Sequence, residues 1–326
     1  MHFIRLIRPV NLLIIAFTMY CCRLFLYIHE QLFDAVLLNS KSEQFDFFLL
    51  VFSTVLIAAA GNIINDYFDV RADRINKPEK LIITKHINRK WAILSHWILN
   101  LIAFLIALYL SIRYHTFWYV FIHLLSINAL YIYSMLLKRK PFIGNLTIAA
   151  LAALVPVLCG VHFYVQQKFH ISPFSQAYSG LQFWSNSLIC NGGFIIILAF
   201  FAFTYNLSRE IIKDIQDIEG DKQIHAKTLP IILGVKKSKL IASLSILSTP
   251  IAFILLFLMN NFKSKENILS DLIIFLPVIL SILLAVFSLL ILKNATTRIQ
   301  LKKVDQFIKL SMLMGIILPF YWLFLV

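Results

Sequence analysis

The sequence predicts an all-α polytopic membrane protein: one bundle of about nine transmembrane helices, with the N-terminus in the cytoplasm. Three observations predict it. Of the 326 residues, 60% are hydrophobic and 14% charged, with mean hydropathy +0.81, against roughly 45–50% and about 25% for a soluble chain. The apolar residues fall into nine runs, each near the roughly 20 residues that cross a bilayer. Basic residues concentrate on alternate connections. Nothing in the composition divides the chain, so 1–326 reads as a single domain.

The runs are 9–28, 46–65, 91–112, 116–137, 142–164, 188–208, 239–260, 270–292 and 305–325. The first has a basic approach but no small-x-small cleavage site, and Arg23 interrupts its exit, so it is expected to be a retained span and not a signal peptide. The second ends where acidic residues begin. The third and fourth are uninterrupted. The fifth and eighth carry Pro156 and Pro277, which bundle helices tolerate when neighbours re-satisfy the freed backbone. The sixth runs into a second acidic stretch, and the last two spans follow the seventh without further acidic motifs. Many Tyr and Trp stand near run ends, where interfacial aromatics are expected.

Basic charge orients the chain. The N-terminus and the connections after the second, fourth, sixth and eighth runs hold 24 of the 30 Lys and Arg. The positive-inside preference puts these on the cytoplasmic side, so the net charge of +14 is explained by topology and gives no support to nucleic-acid binding. Cys21, Cys22, Cys159 and Cys190 form no CxxC pair and read as small buried hydrophobes. The histidines show no ligand spacing.

Two cytoplasmic loops, 66–90 and 207–238, are richer than connection requires. The first holds NDYFDVRAD, with Asn65, Asp66, Asp69 and Asp73; the second holds REIIKDIQDIEGD, with Arg209, Lys213, Asp214, Asp217 and Asp221. Both contain DxxDxxxD, each Asp of the second lying 148 residues after its counterpart. Steps of three and four put three carboxylates on one helical face, where like charges repel. One Asp at the bilayer centre costs about 2.5–3.5 kcal/mol, so three require an interface or a hydrated cavity. Solvated charges at helix ends are the plain alternative, but a repeated motif closing two spans on one side is a poor fit to it. EF-hand Ca²⁺ loops need a Gly at position six and a Glu at twelve, and neither cluster supplies both.

Mg²⁺ accepts hard oxygen ligands, one or two carboxylates together with substrate phosphates and waters. Two acidic faces can hold such ions, which in turn can hold a diphosphate. Arg71, Arg74, Lys77, Lys138, Arg139, Arg209 and Lys213 suit its outer oxygens, and an apolar bundle suits a hydrocarbon tail: a polyprenyl diphosphate. An ion-coupled transporter, the reading from another class, would place its carboxylates near the midplane on broken helices. These stand at span ends in dense basic company.

The motifs resemble the UbiA-type intramembrane prenyltransferases, over nearly the whole chain. Asn65, Asp66, Asp69 and Asp73 match NDxxDxxxD; Asp217 and Asp221 match DxxxD; Lys213 matches the Lys of the extended YxxxKxxxD, with Arg209 where Tyr would stand. With RPVN (Arg8 to Asn11), the strings look most like the geranylgeranylglyceryl phosphate geranylgeranyltransferase branch. After Pro78 the chain reads EKLIITKHINR where the family usually has RPIPSG.

The resemblance implies a multi-pass enzyme of the cytoplasmic membrane with its site facing the cytoplasm, using Mg²⁺, a polyprenyl diphosphate and a lipophilic acceptor, and no nucleic-acid or protein partner. It implies metal ligation by Asp66, Asp69, Asp73, Asp217 and Asp221, assisted by Asn65 and Asp214. It implies diphosphate contacts from Lys213, Arg209, Lys138 and Arg74, with Asn11 on the pocket wall or buried against another helix. Geranylgeranylglyceryl phosphate is the leading acceptor and an aromatic quinone precursor the second. Glu210 or an aspartate is the proton sink for a hydroxyl acceptor.

Overall fold

The computed structural model describes residues 2–29, 41–76, 78–170, 193–261 and 276–323. Cys190 and Lys77, and parts of the sixth, eighth and ninth expected spans, lie outside them. The described residues form eleven α-helices and two short 3-10 turns; an isolated bridge between Ile83 and Ile87 is their only β pairing. Eight of the helices are long and apolar enough to cross a membrane.

Two compact units divide the chain, one of residues 1–138 and 154–199, the other of 139–153 and 200–326. In the first, α1 (His2–Ile7) and α2 (Pro9–His29) are separated by Arg8 at φ 57°, a left-handed conformation that breaks the helix, and Pro9 opens α2. Proline suits a first helical position because its missing N–H would have no partner there. Next comes α3 (Lys41–Asn76), 36 residues long. At 1.5 Å per residue it runs about 54 Å, well beyond the roughly 30 Å of a hydrocarbon core. The first acidic motif therefore lies on a helix that continues past the membrane, and the expectation of an Asp-rich loop there is corrected.

Helix α3 packs against α4 (Arg89–Arg113) and α5 (Trp118–Met135), and these two against each other. Gly61 faces α5 closely: a Cβ there would stand 2.9 Å from a Leu130 methyl, the far end of a flexible side chain. At the far end of α3, Asp46 is fully buried, and Arg113 Nε at 2.5 Å and the Tyr114 hydroxyl at 2.9 Å satisfy it. The stretch after Pro78, where the family pattern is left, folds into a 3-10 turn (Pro78–Lys80) and a tight reversal in which Thr84 N–H donates to Ile87 O at 2.9 Å. Ile83 anchors it in a cluster with Leu6, Ile63, Val70 and Ala92. His86 stacks on His2, centroids 3.9 Å apart.

Helices α6 (Ile143–His170) and α7 (Gly193–Gln216) each contribute to both units. The second unit continues with α8 (Ile218–Gln223), α9 (Leu229–Asn261), α10 (Leu276–Asn294) and α11 (Arg298–Leu323). Its core joins Tyr205, Ile211 and Ile212 of α7 to Ile246, Ala285, Val304 and Ile308. Helix α9 starts ten residues before the seventh apolar run and bends at Gly234, whose φ of 80° L side chains rarely adopt. Pro156 sits inside α6 as expected, whereas Pro277 stands in the first described turn of α10. The ninth expected span coincides with α11, but that helix begins seven residues earlier and carries Arg298, Lys302, Lys303, Asp305 and Lys309 in its first half.

Candidate functional site: two acidic motifs and their counter-ions

In the first unit the motif occupies the last turns of α3. Asp66, Asp69 and Asp73 share one face by their spacing, and all three are half-buried. Charge repulsion along that face is offset by cations brought from elsewhere in the chain. Arg8 Nη2 donates to Asp66 Oδ1 at 2.5 Å. Lys138, in the 3-10 turn Leu137–Arg139 after α5, donates to Asp69 Oδ2 and, at 3.3 Å, to Asn65 Oδ1. Burial pulls the Lys138 ammonium down, but the Asp69 carboxylate more than reverses this, with Tyr133 and Asp73 adding, so its pKa stands above the ordinary lysine value. Asn62 Nδ2 donates to Ile7 O at 2.9 Å and so locks the α1–α2 corner that carries Arg8.

Arg74 lies exposed in the last turn of α3. Asn11 is exposed in the first turn of α2, held through its backbone N–H to Arg8 O at 3.0 Å. The alternative of a buried, helix-packing Asn11 is thereby corrected.

In the second unit the expectation of one helical face fails. Helix α7 ends at Gln216, and Asp217 (φ −108°, ψ 11°) caps the separate α8. Asp214 is thus on α7, Asp217 at the break and Asp221 buried in α8. This motif too is largely helical and not a loop. Asn145 of α6 donates to Asp214 Oδ2 at 2.8 Å, and Arg298 Nη2 of α11 to Asp217 Oδ1 at 2.9 Å. Lys213 donates to Glu210 Oε1 at 2.5 Å. Arg209 Nε donates to Asp305 Oδ1 at 2.8 Å and its Nη1 to Asn206 Oδ1 at 3.2 Å.

Four residues of these arrangements were not among the expected site residues: Arg8, Asn145, Arg298 and Asp305. Asp305 carried a usable signal, since a carboxylate at the head of an apolar run is costly and functional by default. Asn145 carried none.

The donor chemistry fits Mg²⁺, being hard oxygen throughout: carboxylates, with the amide oxygen of Asn65. Among the described residues no three His, Cys, Asp or Glu side chains converge as a ready-made metal cage.

Residues 35–313 match the model of the UbiA prenyltransferase family. The chain is 38% identical over 198 residues to the digeranylgeranylglyceryl phosphate synthase of Pyrococcus horikoshii, covering 60% of each chain. It is 32% identical to the synthase of that name from Methanosphaera stadtmanae, over 80% of this chain and 82% of the other. With the one from Methanobrevibacter smithii it shares 30% identity, over 86% and 88%. Among solved structures it is similar in fold to a digeranylgeranylglyceryl phosphate synthase (TM-score 0.61, 22% identity, 98% of this chain and 96% of the other). A UbiA homologue from Archaeoglobus fulgidus bound to DMAPP and Mg²⁺ superposes at TM-score 0.58 with 17% identity, over 98% of this chain and 99% of that one. With its membrane-spanning helices and a family match over most of its length, the chain is an integral multi-pass membrane protein of the UbiA prenyltransferase family.

Proposed function

We propose that this protein transfers a geranylgeranyl group from its diphosphate to the free hydroxyl of geranylgeranylglyceryl phosphate, with Mg²⁺, at the cytoplasmic face of the cell membrane. One observation carries the reading: NDxxDxxxD and DxxDxxxD each stand at the end of a long apolar helix, with basic side chains on their carboxylates. The shared name of the relatives supports the choice of acceptor. The basic residues crowding the motif-bearing connections support the cytoplasmic orientation.

Asp66, Asp69, Asp73, Asp217 and Asp221 are assigned to hold the metal, with Asn65 and Asp214 assisting. Mg²⁺, when bound, supplies positive charge to the leaving diphosphate, the place where charge develops most. Lys138, Arg209, Lys213 and Arg74 bind its outer oxygens; Lys138 and Arg209 are already oriented by carboxylates. The allylic C–O bond breaks, diphosphate departs with the electron pair, and the acceptor hydroxyl attacks the allylic carbon and loses its proton. Glu210, held by Lys213, lies outside the metal set and is assigned to take that proton. Apolar helices exclude the water that would otherwise capture the cation.

Purified protein in detergent, given geranylgeranyl diphosphate and Mg²⁺, should prenylate geranylgeranylglyceryl phosphate and lose the activity in EDTA. Product from 1,4-dihydroxy-2-naphthoate or 4-hydroxybenzoate alone would replace the acceptor assignment. No product from any of the three would overturn the reading.

A further inference from the structure

The first half of α11 departs from what an apolar span requires, and its charges are organised around one arginine. Asp305 uses both carboxylate oxygens: Oδ1 accepts from Arg209 Nε at 2.8 Å, and Oδ2 from Lys309, one turn on, at 2.9 Å. Its rotamer is therefore held from its own helix while it reaches across to α7. Asn206 is held in the same way, its Nδ2 donating to Ala202 O at 2.8 Å, which turns Oδ1 toward Arg209 Nη1 at 3.2 Å. Two edges of the guanidinium are thus gripped.

A guanidinium has five N–H donors in a planar fork, and Nη2 of Arg209 has no partner among the described residues. The side chain is only 13% exposed, yet Nη2 is not among the buried nitrogens left without a partner, so it stands at the accessible edge of the guanidinium, open to a ligand. Arg209 and Lys213 stand four residues apart on α7 and so share one face of it, shortly before the break at Asp217. A pair serving only to join two helices would not need to leave the outer donor pair uncommitted, and buried ion pairs add little to stability by themselves.

We infer that Asp305 is a positioning residue: together with Asn206 it clamps Arg209 so that Nη2 is presented to a phosphate oxygen of the prenyl diphosphate. The inference rests on the prenyl-transfer reading above, and it assigns the charge on α11 to substrate binding. Arg209, standing where relatives of the wider family have Tyr, then works only with its carboxylate partner in place.

The test is binding of inorganic pyrophosphate, in the presence of Mg²⁺, to the full chain in detergent by calorimetry. Asp305→Asn should weaken binding roughly tenfold, the equivalent of about 1.4 kcal/mol, and Asp305→Glu should recover most of it. In an Arg209→Gln background, Asp305→Asn should have no further effect; that double variant also restores charge balance and guards against misfolding. In turnover, the KM for prenyl diphosphate should rise in Asp305→Asn with that for the acceptor unchanged, a split that a merely structural role would not produce. Unaltered pyrophosphate affinity in Asp305→Asn, or an equal loss in both backgrounds, would overturn the inference alone. Absence of pyrophosphate binding by the wild type would overturn the prenyl-transfer reading and this inference with it.

Discussion

Lys138 is bonded to Asp69, 69 residues before it in the chain, and to Asn65 one turn earlier on the same helix. A cation on a turn after α5 thereby spans two members of the first acidic motif, which ties the 3-10 turn to α3. The ammonium can serve twice, neutralising the carboxylate in the resting protein and meeting the diphosphate in the loaded one. Lys138→Met should lose both services. A charge-assisted hydrogen bond contributes about 1.5–3 kcal/mol, so kcat/KM for prenyl diphosphate should fall at least about tenfold, measured under saturating acceptor.

Arg298 plays the corresponding part for Asp217, across 81 residues. Arg298→Gln should remove this charged hydrogen bond from Asp217 and lower kcat/KM by a similar factor. Asn145→Ala, which removes the 2.8 Å bond to Asp214, should cost less, since a neutral donor is lost; roughly threefold follows from a net hydrogen-bond contribution of about 0.5–1.5 kcal/mol. Steady-state kinetics on the two variants should preserve that order.

Gly61 offers a stability prediction independent of the chemistry. An added Cβ would meet only the mobile methyl end of Leu130, and Ala gains about 1 kcal/mol of helix propensity over Gly. Gly61→Ala should therefore leave the Tm nearly unchanged. Gly61→Leu must displace Leu130 outright and should cost about 1–3 kcal/mol, the range for overpacked cores, seen as a lower Tm in detergent.

His2 stacks on His86; loss of hydration, then the charge of His86, then those of the terminal amino group and Arg5, hold its pKa below the ordinary 6.5. A base with a depressed folded-state pKa takes up its proton more readily when released. The contribution of the stack is therefore present above 6.5 and lost as pH falls through the depressed value. The protection of α1 amides, taken relative to the intrinsic exchange rate at each pH, should fall on acidification through that window, and His2→Gln should abolish this change.

The sequence by itself determined the class of fold, most span positions and both acidic motifs. Apolar run length and i, i+3, i+7 spacing are local properties, and neither depends on what packs against what. It also marked Lys138, Arg209 and Lys213 by residue type. It misplaced the motifs into loops, because an apolar count stops at the first carboxylate while backbone hydrogen bonding does not: α3 runs on through Asp66 to Asn76. The bend at Asp217, the early start of α9 and the turn built from EKLIITKH needed backbone geometry. Only the tertiary structure decided which cation sits on which carboxylate. Arg8 with Asp66, Arg298 with Asp217 and Arg209 with Asp305 are separated by 58, 81 and 96 residues. Any of the 30 Lys and Arg was chemically eligible for each, and helix packing, which brings particular side chains within about 3 Å, made the selection.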